Sequence, residues 1–195
     1  MERTPTIRKI AQIGHPILRR VADPVPISEI RSAPIQELID DMIATMRDAM
    51  GAGLAAPQVH ESVQICVLEV RANARYPYAP DIPLTVLINP VLAPLTAEIF
   101  GNYEGCLSVP NLRGLVERFA EIRVMGFDRD GQPVDRVARG ISAGTYQHEV
   151  DHLNATLFLD RVKDPRSLTT LAEFDRYHRE AYFPKARAVV DRFGG

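Results

Sequence analysis

The stretch Gln147-His148-Glu149-Val150-Asp151-His152 sets two histidines four positions apart with a glutamate beside the first. On a helix, positions i and i+4 stand one turn apart on the same face. Both imidazoles then reach a single metal ion at about 2.0–2.1 Å. The glutamate falls near the open coordination position, where it can move protons to and from a water molecule. Thr145 and Ile141 continue that face one and two turns before His148. A helix here predicts an apolar recess beside two metal ligands.

Two histidines do not complete a catalytic site, which ordinarily takes three protein ligands and leaves one position for water. Two residues compete for the third place. Glu173 follows His152 at a distance where helical zinc peptidases put a ligand, although between Ala172 and Phe174 it also reads as a solvated helix position. Cys106 lies in Tyr103-Glu104-Gly105-Cys106-Leu107-Ser108. A Gly before it and a Ser two positions later read as a tight turn that exposes the thiol, which a metal would hold as thiolate; the plainer reading is a small buried residue. A third segment, Gly51-Ala52-Gly53-Leu54-Ala55-Ala56-Pro57-Gln58, is built of small residues that let a backbone approach a ligand closely. Its edge could pair with an extended substrate, and a helix cap followed by a loop would look the same.

The elements that must hold these residues can be read from periodicity. Ile35, Leu38, Ile39, Met42, Ile43 and Met46 form one buried helix face, with Pro34 near its start and Gly51 past its end. Apolar, β-branched runs predict strands over 62–70, over 84–89 stopping at Pro90, over 121–127 and over 134–138, the last two joined by a turn at Asp130-Gly131. Cys66 sits inside the first of these strands. Arg71 to Pro83 reads as a proline-rich surface loop. A second helix is expected from about Ile141 to Asn154. A C-terminal helix is expected after Pro165, carrying Leu168, Leu171 and Phe174 and interrupted or ended by Pro184. The fold class is α+β: a mainly antiparallel sheet packed around a central helix carrying the histidines, with N- and C-terminal helices.

The composition bounds the function. With 195 residues, 46% apolar and 25% charged, the chain matches the ordinary globular profile and reads as a single domain, 1–195, with a helical tail from about 165. Lys+Arg 23 against Asp+Glu 25 gives a net charge of −2, which argues against nucleic-acid or lipid binding driven by net charge. No run approaches the ~18–20 apolar residues of a membrane span, and the first residues have no signal-peptide pattern. Two distant cysteines read as free thiols in a reducing compartment.

Taken together, Gly-x-Gly-Leu-Ala-Ala-Pro-Gln at 51–58, Glu-Gly-Cys-Leu-Ser at 104–108 and Gln-His-Glu-x-Asp-His-Leu at 147–153 closely resemble, in order and approximate spacing, the motifs of peptide deformylases. Gly14-His15-Pro16-Ile17-Leu18-Arg19 looks like that family's opening segment, and Asp128-Arg129-Asp130-Gly131 like its hairpin. The resemblance implies a hydrolase that removes the N-formyl group from the formyl-methionine of newly made polypeptides. It implies one divalent metal ion, Fe²⁺ in cells with Zn²⁺, Ni²⁺ or Co²⁺ able to replace it, held by Cys106, His148 and His152. Glu149 matches the general acid/base, Gln58 the amide that stabilises the oxyanion, and Leu107 supplies a backbone N–H. Gly53 matches a backbone position that pairs with substrate. Ala52, Asn102, Ile141 and Thr145 fall where the methionine pocket is lined, and Arg113 at the mouth of the groove. Glu104 and Arg118 look like a supporting ion pair. Ala52 replaces a larger aliphatic, and Ala155 stands where a Gly often follows the helix. The resemblance also implies N-formylmethionyl nascent peptides as partners, a bacterial cytoplasm, no membrane and no sequence-specific nucleic acid. It offers ribosome docking through the basic segment Arg176–Arg192, against a solvated helix or a subunit contact. The competing functions are a metallopeptidase with Glu173 as third ligand and a non-catalytic metal-binding protein.

Overall fold

The computed structural model describes residues 3–71 and 78–194. Its helix α1 (Ala33–Asp48) buries Leu38, Ile39, Met42 and Met46, the face marked by the apolar spacing. Met50, not Gly51, takes the left-handed backbone that ends it. Around this face gather Leu54, Val59, Ile65, Val67 and Ile88.

Two sheets follow. Strands β1 (Gly53–Ala55), β2 (Ile65–Val70), β3 (Ile82–Pro94), β6 (Glu121–Phe127) and β7 (Pro133–Arg139) form a five-stranded antiparallel sheet in the order β1-β2-β3-β6-β7. Strands β4 (Ile99–Cys106), β5 (Val109–Phe119) and β8 (Thr169–Thr170) form a three-stranded one. Helix α2 (Gly140–Leu153) packs Ala143, Tyr146 and Leu153 against Cys66, Leu68, Leu87, Ile122 and Val124 of the larger sheet. The α+β layout with antiparallel sheets is as the sequence predicts.

Three expectations are corrected and one element is added. Strand β3 does not stop at Pro90. Asn89 takes φ +51° and the register shifts between Ile88 and Val91, so Pro90, which has no N–H to give, falls in a bulge where no ladder bond is missed. Opposite the bulge, a Cβ on Gly126 would come within 2.9 Å of the Ile88 carbonyl oxygen, so only glycine fits. The 71–83 loop is not all surface: 72–77 lie outside the described residues, but Tyr78 is buried against Tyr182 and Phe183, and Ile82 already belongs to β3. The β4–β5 hairpin is an addition to the strands predicted. The C-terminal segment starts with a turn at Leu171–Glu173, widens over Phe174–His178, and continues as α3 (Arg179–Phe193) straight through Pro184. Proline removes one ladder bond there. Burial of Tyr182 and Ala186 on either side of it outweighs that loss.

This segment is not a loose tail. Phe174, Tyr182 and Ala186 join Tyr78, Phe100 and Ile141 in a common apolar cluster. Several of its cations have acidic partners: Arg192 with Glu98, Arg187 with Asp191 at 3.2 Å, Arg179 with Asp175 at 3.9 Å. No helix among the described residues is long and apolar enough to cross a membrane.

Ala155, just past α2, sits at φ +57°. A Cβ is disfavoured in that region by roughly 1–2 kcal/mol, partly offset by the extra freedom glycine has when unfolded. Ala155→Gly is therefore expected to stabilise the chain by about 0.5–1 kcal/mol, read as a higher urea midpoint at unchanged slope. An unchanged midpoint would mean the turn carries no strain.

Candidate active site

Helix α2 brings His148 and His152 onto one face, and the link Leu107–Ser108 between β4 and β5 brings Cys106 up to them. The ligand atoms of the three residues all lie within 4.8 Å of one another, with Cys106 Sγ 3.3 Å from His152 Nε2. Among the described residues this is the group of histidine, cysteine and carboxylate side chains arranged to hold a metal. Glu173 is exposed on the C-terminal segment, its N–H bonded to Thr170 Oγ1, and is not part of that group.

The donor set fits a divalent transition ion: one soft thiolate and two imidazoles. The imidazoles are oriented for it. His148 Nδ1 donates to Glu104 Oε2 at 2.8 Å, leaving Nε2 for the ion. Burial works against charge on His148, yet its bonds to Cys106 and Glu104 outweigh that and raise its pKa. At His152, burial first and the neighbouring His148 second favour the neutral imidazole, the form that ligates.

Beneath the ligands runs a buried charge network. Arg118 grips Glu104 with two bonds, Nε to Oε1 at 2.7 Å and Nη2 to Oε2 at 2.8 Å. Its Nη1 donates to Asp151 Oδ2 at 2.6 Å, and Arg161 binds Asp151 from the outer side. Burial alone would raise the Glu104 carboxyl, but Arg118 and His148 hold it down at about 2. The Glu104–Arg118 pair implied by the sequence is present. Asp151 and its role were not foreseen, although it stands inside the histidine motif.

Glu149 is 4% exposed, and its Oε2 has no hydrogen-bond partner. Burial pushes its carboxyl up to about 7. The carboxylate lies flat on Gly53: a Cβ there would stand 2.3 Å from Glu149 Oε1. Glycine at 53 thus makes room for Glu149, a reason the sequence did not disclose. The bond from Glu69 N–H to the Ala52 carbonyl flanks the Gly53↔Leu68 pair, which marks that pair as non-hydrogen-bonded. The N–H and C=O of Gly53 therefore face away from β2, toward the open edge of the sheet.

Gln58 is buried, and its amide is oriented by two neighbours. Oε1 accepts from Ala55 N–H at 2.8 Å, so Nε2 points at Ser108 Oγ, 3.1 Å away, and at Cys106 Sγ, 3.5 Å away. Ser108, wholly buried, also donates its N–H to Cys106 Sγ at 3.4 Å. Only its place two residues after Cys106 could have signalled it.

Gly53, Gln58, Glu104, Cys106, His148 and Glu149 open onto one cavity of ≈ 350 Å³, within the usual range for small-ligand sites. Ala52, Gly53, Asn102, Leu107, Ile141 and Thr145 line it. Arg113 lines it too but is not at an open mouth. It is 5% exposed, packed under the Phe174 ring with its guanidinium 5.0 Å from the centroid, and donates to the Tyr103 carbonyl. The C-terminal segment covers it.

A Cys-His-His donor set on an α+β frame, with a buried glutamate next in sequence to one of its histidines, fits a metal-dependent hydrolase. Comparison with known proteins narrows the class. The polypeptide deformylase profile matches residues 7–167. Peptide deformylase 2 of Pseudomonas putida is 46% identical over 158 residues, 81% of this chain and 89% of the relative. Class I type b peptide deformylase from Acinetobacter baumannii, with Met-Ala-Ser bound, superposes with a TM-score of 0.79 at 40% identity, over 82% of this chain and all of that one. The enzyme from Thermotoga maritima gives 0.71 at 33% identity, over 82% and 99%. The chain belongs to the polypeptide deformylase family.

Proposed function

We propose that the chain hydrolyses the N-terminal formamide of formyl-methionyl polypeptides, releasing formate and a free methionyl amine. The observation that carries this reading is Glu149: a buried carboxylate with an unpartnered oxygen, next in sequence to His148 and packed against Gly53 of β1.

A divalent ion held by Cys106, His148 and His152 supplies Lewis acidity when bound, polarising the formyl oxygen and lowering the pKa of water. Fe²⁺ in cells is the family's usual choice, and the thiolate–imidazole set suits Zn²⁺, Ni²⁺ and Co²⁺ as well. Glu149 takes a proton from the attacking water and passes it to the departing amine nitrogen, which leaves uncharged. Gln58 Nε2 and the Leu107 N–H donate to the formyl oxygen as it becomes anionic. Gly53 pairs its outward N–H and C=O with the substrate backbone. The unbranched methionine chain fills the recess lined by Ala52, Asn102, Ile141 and Thr145, and Arg113 sits at the covered end of the groove.

The reading is tested by formate release from formyl-Met-Ala-Ser, using protein purified without air and analysed for metal. Gln58→Ala should lower kcat by about 10²–10³-fold, or roughly 2.7–4 kcal/mol, at unchanged metal content. Full activity in that variant would remove Gln58 from the oxyanion site.

The relatives named above are bacterial, and we place the reaction in a bacterial cytoplasm, on nascent chains. Docking of the basic C-terminal segment to the ribosome has less support than its charge count implied, since Arg179, Arg187 and Arg192 already pair with acids of this chain.

A further inference from the structure

The family profile ends at residue 167, yet the chain beyond it reaches the cavity. The Tyr182 hydroxyl, from α3, donates to Asn102 Oδ1 at 2.5 Å and accepts from the Tyr103 N–H at 3.3 Å. Its ring is buried among Tyr78, Tyr103 and Phe174, with centroids 5.9, 5.4 and 5.8 Å away. Burial raises the phenol's pKa, and Tyr78 is a further hydrogen-bond partner of the same hydroxyl.

An asparagine side chain can turn over and exchange its oxygen for its nitrogen. In Asn102 this is prevented: with Oδ1 held by Tyr182, Nδ2 is turned toward α2, 3.5 Å from where a Cβ of Gly144 would stand. Gly144 and Asn102 line the same cavity wall. Nδ2 thus lies beside Gly144, where both residues border the cavity, and the group that fixes it lies on the C-terminal helix.

We propose that Tyr182 is a positioning residue for substrate, acting through Asn102 by locking its amide so that the N–H side faces the pocket for the first side chain. This rests on the reading of Asn102 as a pocket residue. The segment beyond residue 167 is thus a working part of the substrate site. The donor it orients matches a weak acceptor, such as a thioether sulfur, at the end of the substrate chain.

The test is a double-mutant cycle with the metal-loaded enzyme, following formate release from formyl-Met-Ala-Ser. Tyr182→Phe keeps the three ring contacts and removes only the hydroxyl. It is expected to raise KM about 3- to 10-fold, the worth of one hydrogen bond, with kcat changed less than about twofold and the unfolding midpoint little moved. Asn102→Ala should raise KM similarly, and the double variant should be no worse than Asn102→Ala alone. A Tyr182→Phe enzyme with unchanged KM overturns the proposal. So does a double variant whose loss is the product of the single losses, since Tyr182 would then act by helix packing. If Asn102→Ala leaves KM unchanged in an active enzyme, the pocket reading of Asn102 fails and the proposal with it. A parent protein that releases no formate overturns the functional reading itself.

Discussion

Glu149→Gln is expected to fold, to hold its metal and to lose deformylation by about 10³–10⁴-fold in kcat, the upper part of what proton transfer by a positioned side chain contributes. Glutamine keeps the shape of the carboxylate against Gly53 but cannot take a proton from water. The fold should not suffer. The carboxylate is nearly wholly buried with one oxygen unpartnered, and burial already pushes its pKa up to about 7, so an uncharged amide is at least as well accommodated. The measurement is kcat for formyl-Met-Ala-Ser alongside metal analysis of the same preparation. A variant that arrives without metal would make Glu149 a ligand, and the assignment of proton transfer would have to go elsewhere.

Cys106→Ala is expected to abolish metal retention and with it all measurable activity, whereas Glu173→Ala should retain both. The physical ground is the donor count. Removing Sγ leaves two imidazoles from one helix, short of the three protein ligands of a catalytic site. It also leaves the Ser108 N–H and Gln58 Nε2 without the sulfur they now face. Metal stoichiometry after purification without air reads the result directly. The opposite outcome, loss on changing Glu173 and retention on changing Cys106, would move the chain to the helical zinc peptidases.

The parts of this site legible in the sequence were those whose geometry is local. His148 and His152 are one helical turn apart on any helix, and the Cys106 turn is announced by its flanking glycine and serine. The β4–β5 hairpin was not legible, because the face it buries is mixed: Glu104, Arg113 and Arg118 point inward among Phe100, Val109 and Val116, while Leu115 and Phe119 point out. A search for apolar alternation cannot find a strand whose inner face is the site's own wiring. The C-terminal helix was hidden for a different reason. Pro184 signals a break, and only the burial of Tyr182 and Ala186 against distant strands makes the helix continue. Ser108 and Asp151 act on residues brought close by folding, so neither carries a sequence signature of its own. Gly53 was expected for backbone pairing, while its steric role beneath Glu149 depends on a contact 96 positions away in the chain.

The open edge of β1 sets how broad a clientele one such catalyst can serve. An edge strand meets its guest through N–H and C=O groups, which every polypeptide has in the same places, whatever its genes prescribe. On the proposed reading, choosiness is then confined to the recess for the first residue, where the formylated methionine is invariant. Beyond it, downstream side chains alternate outward and are met only weakly. A single enzyme of this design can attend to a whole proteome's chain starts without a separate version for each, and a mimic that copies only the backbone edge and the first side chain should occupy it as readily as any natural sequence does.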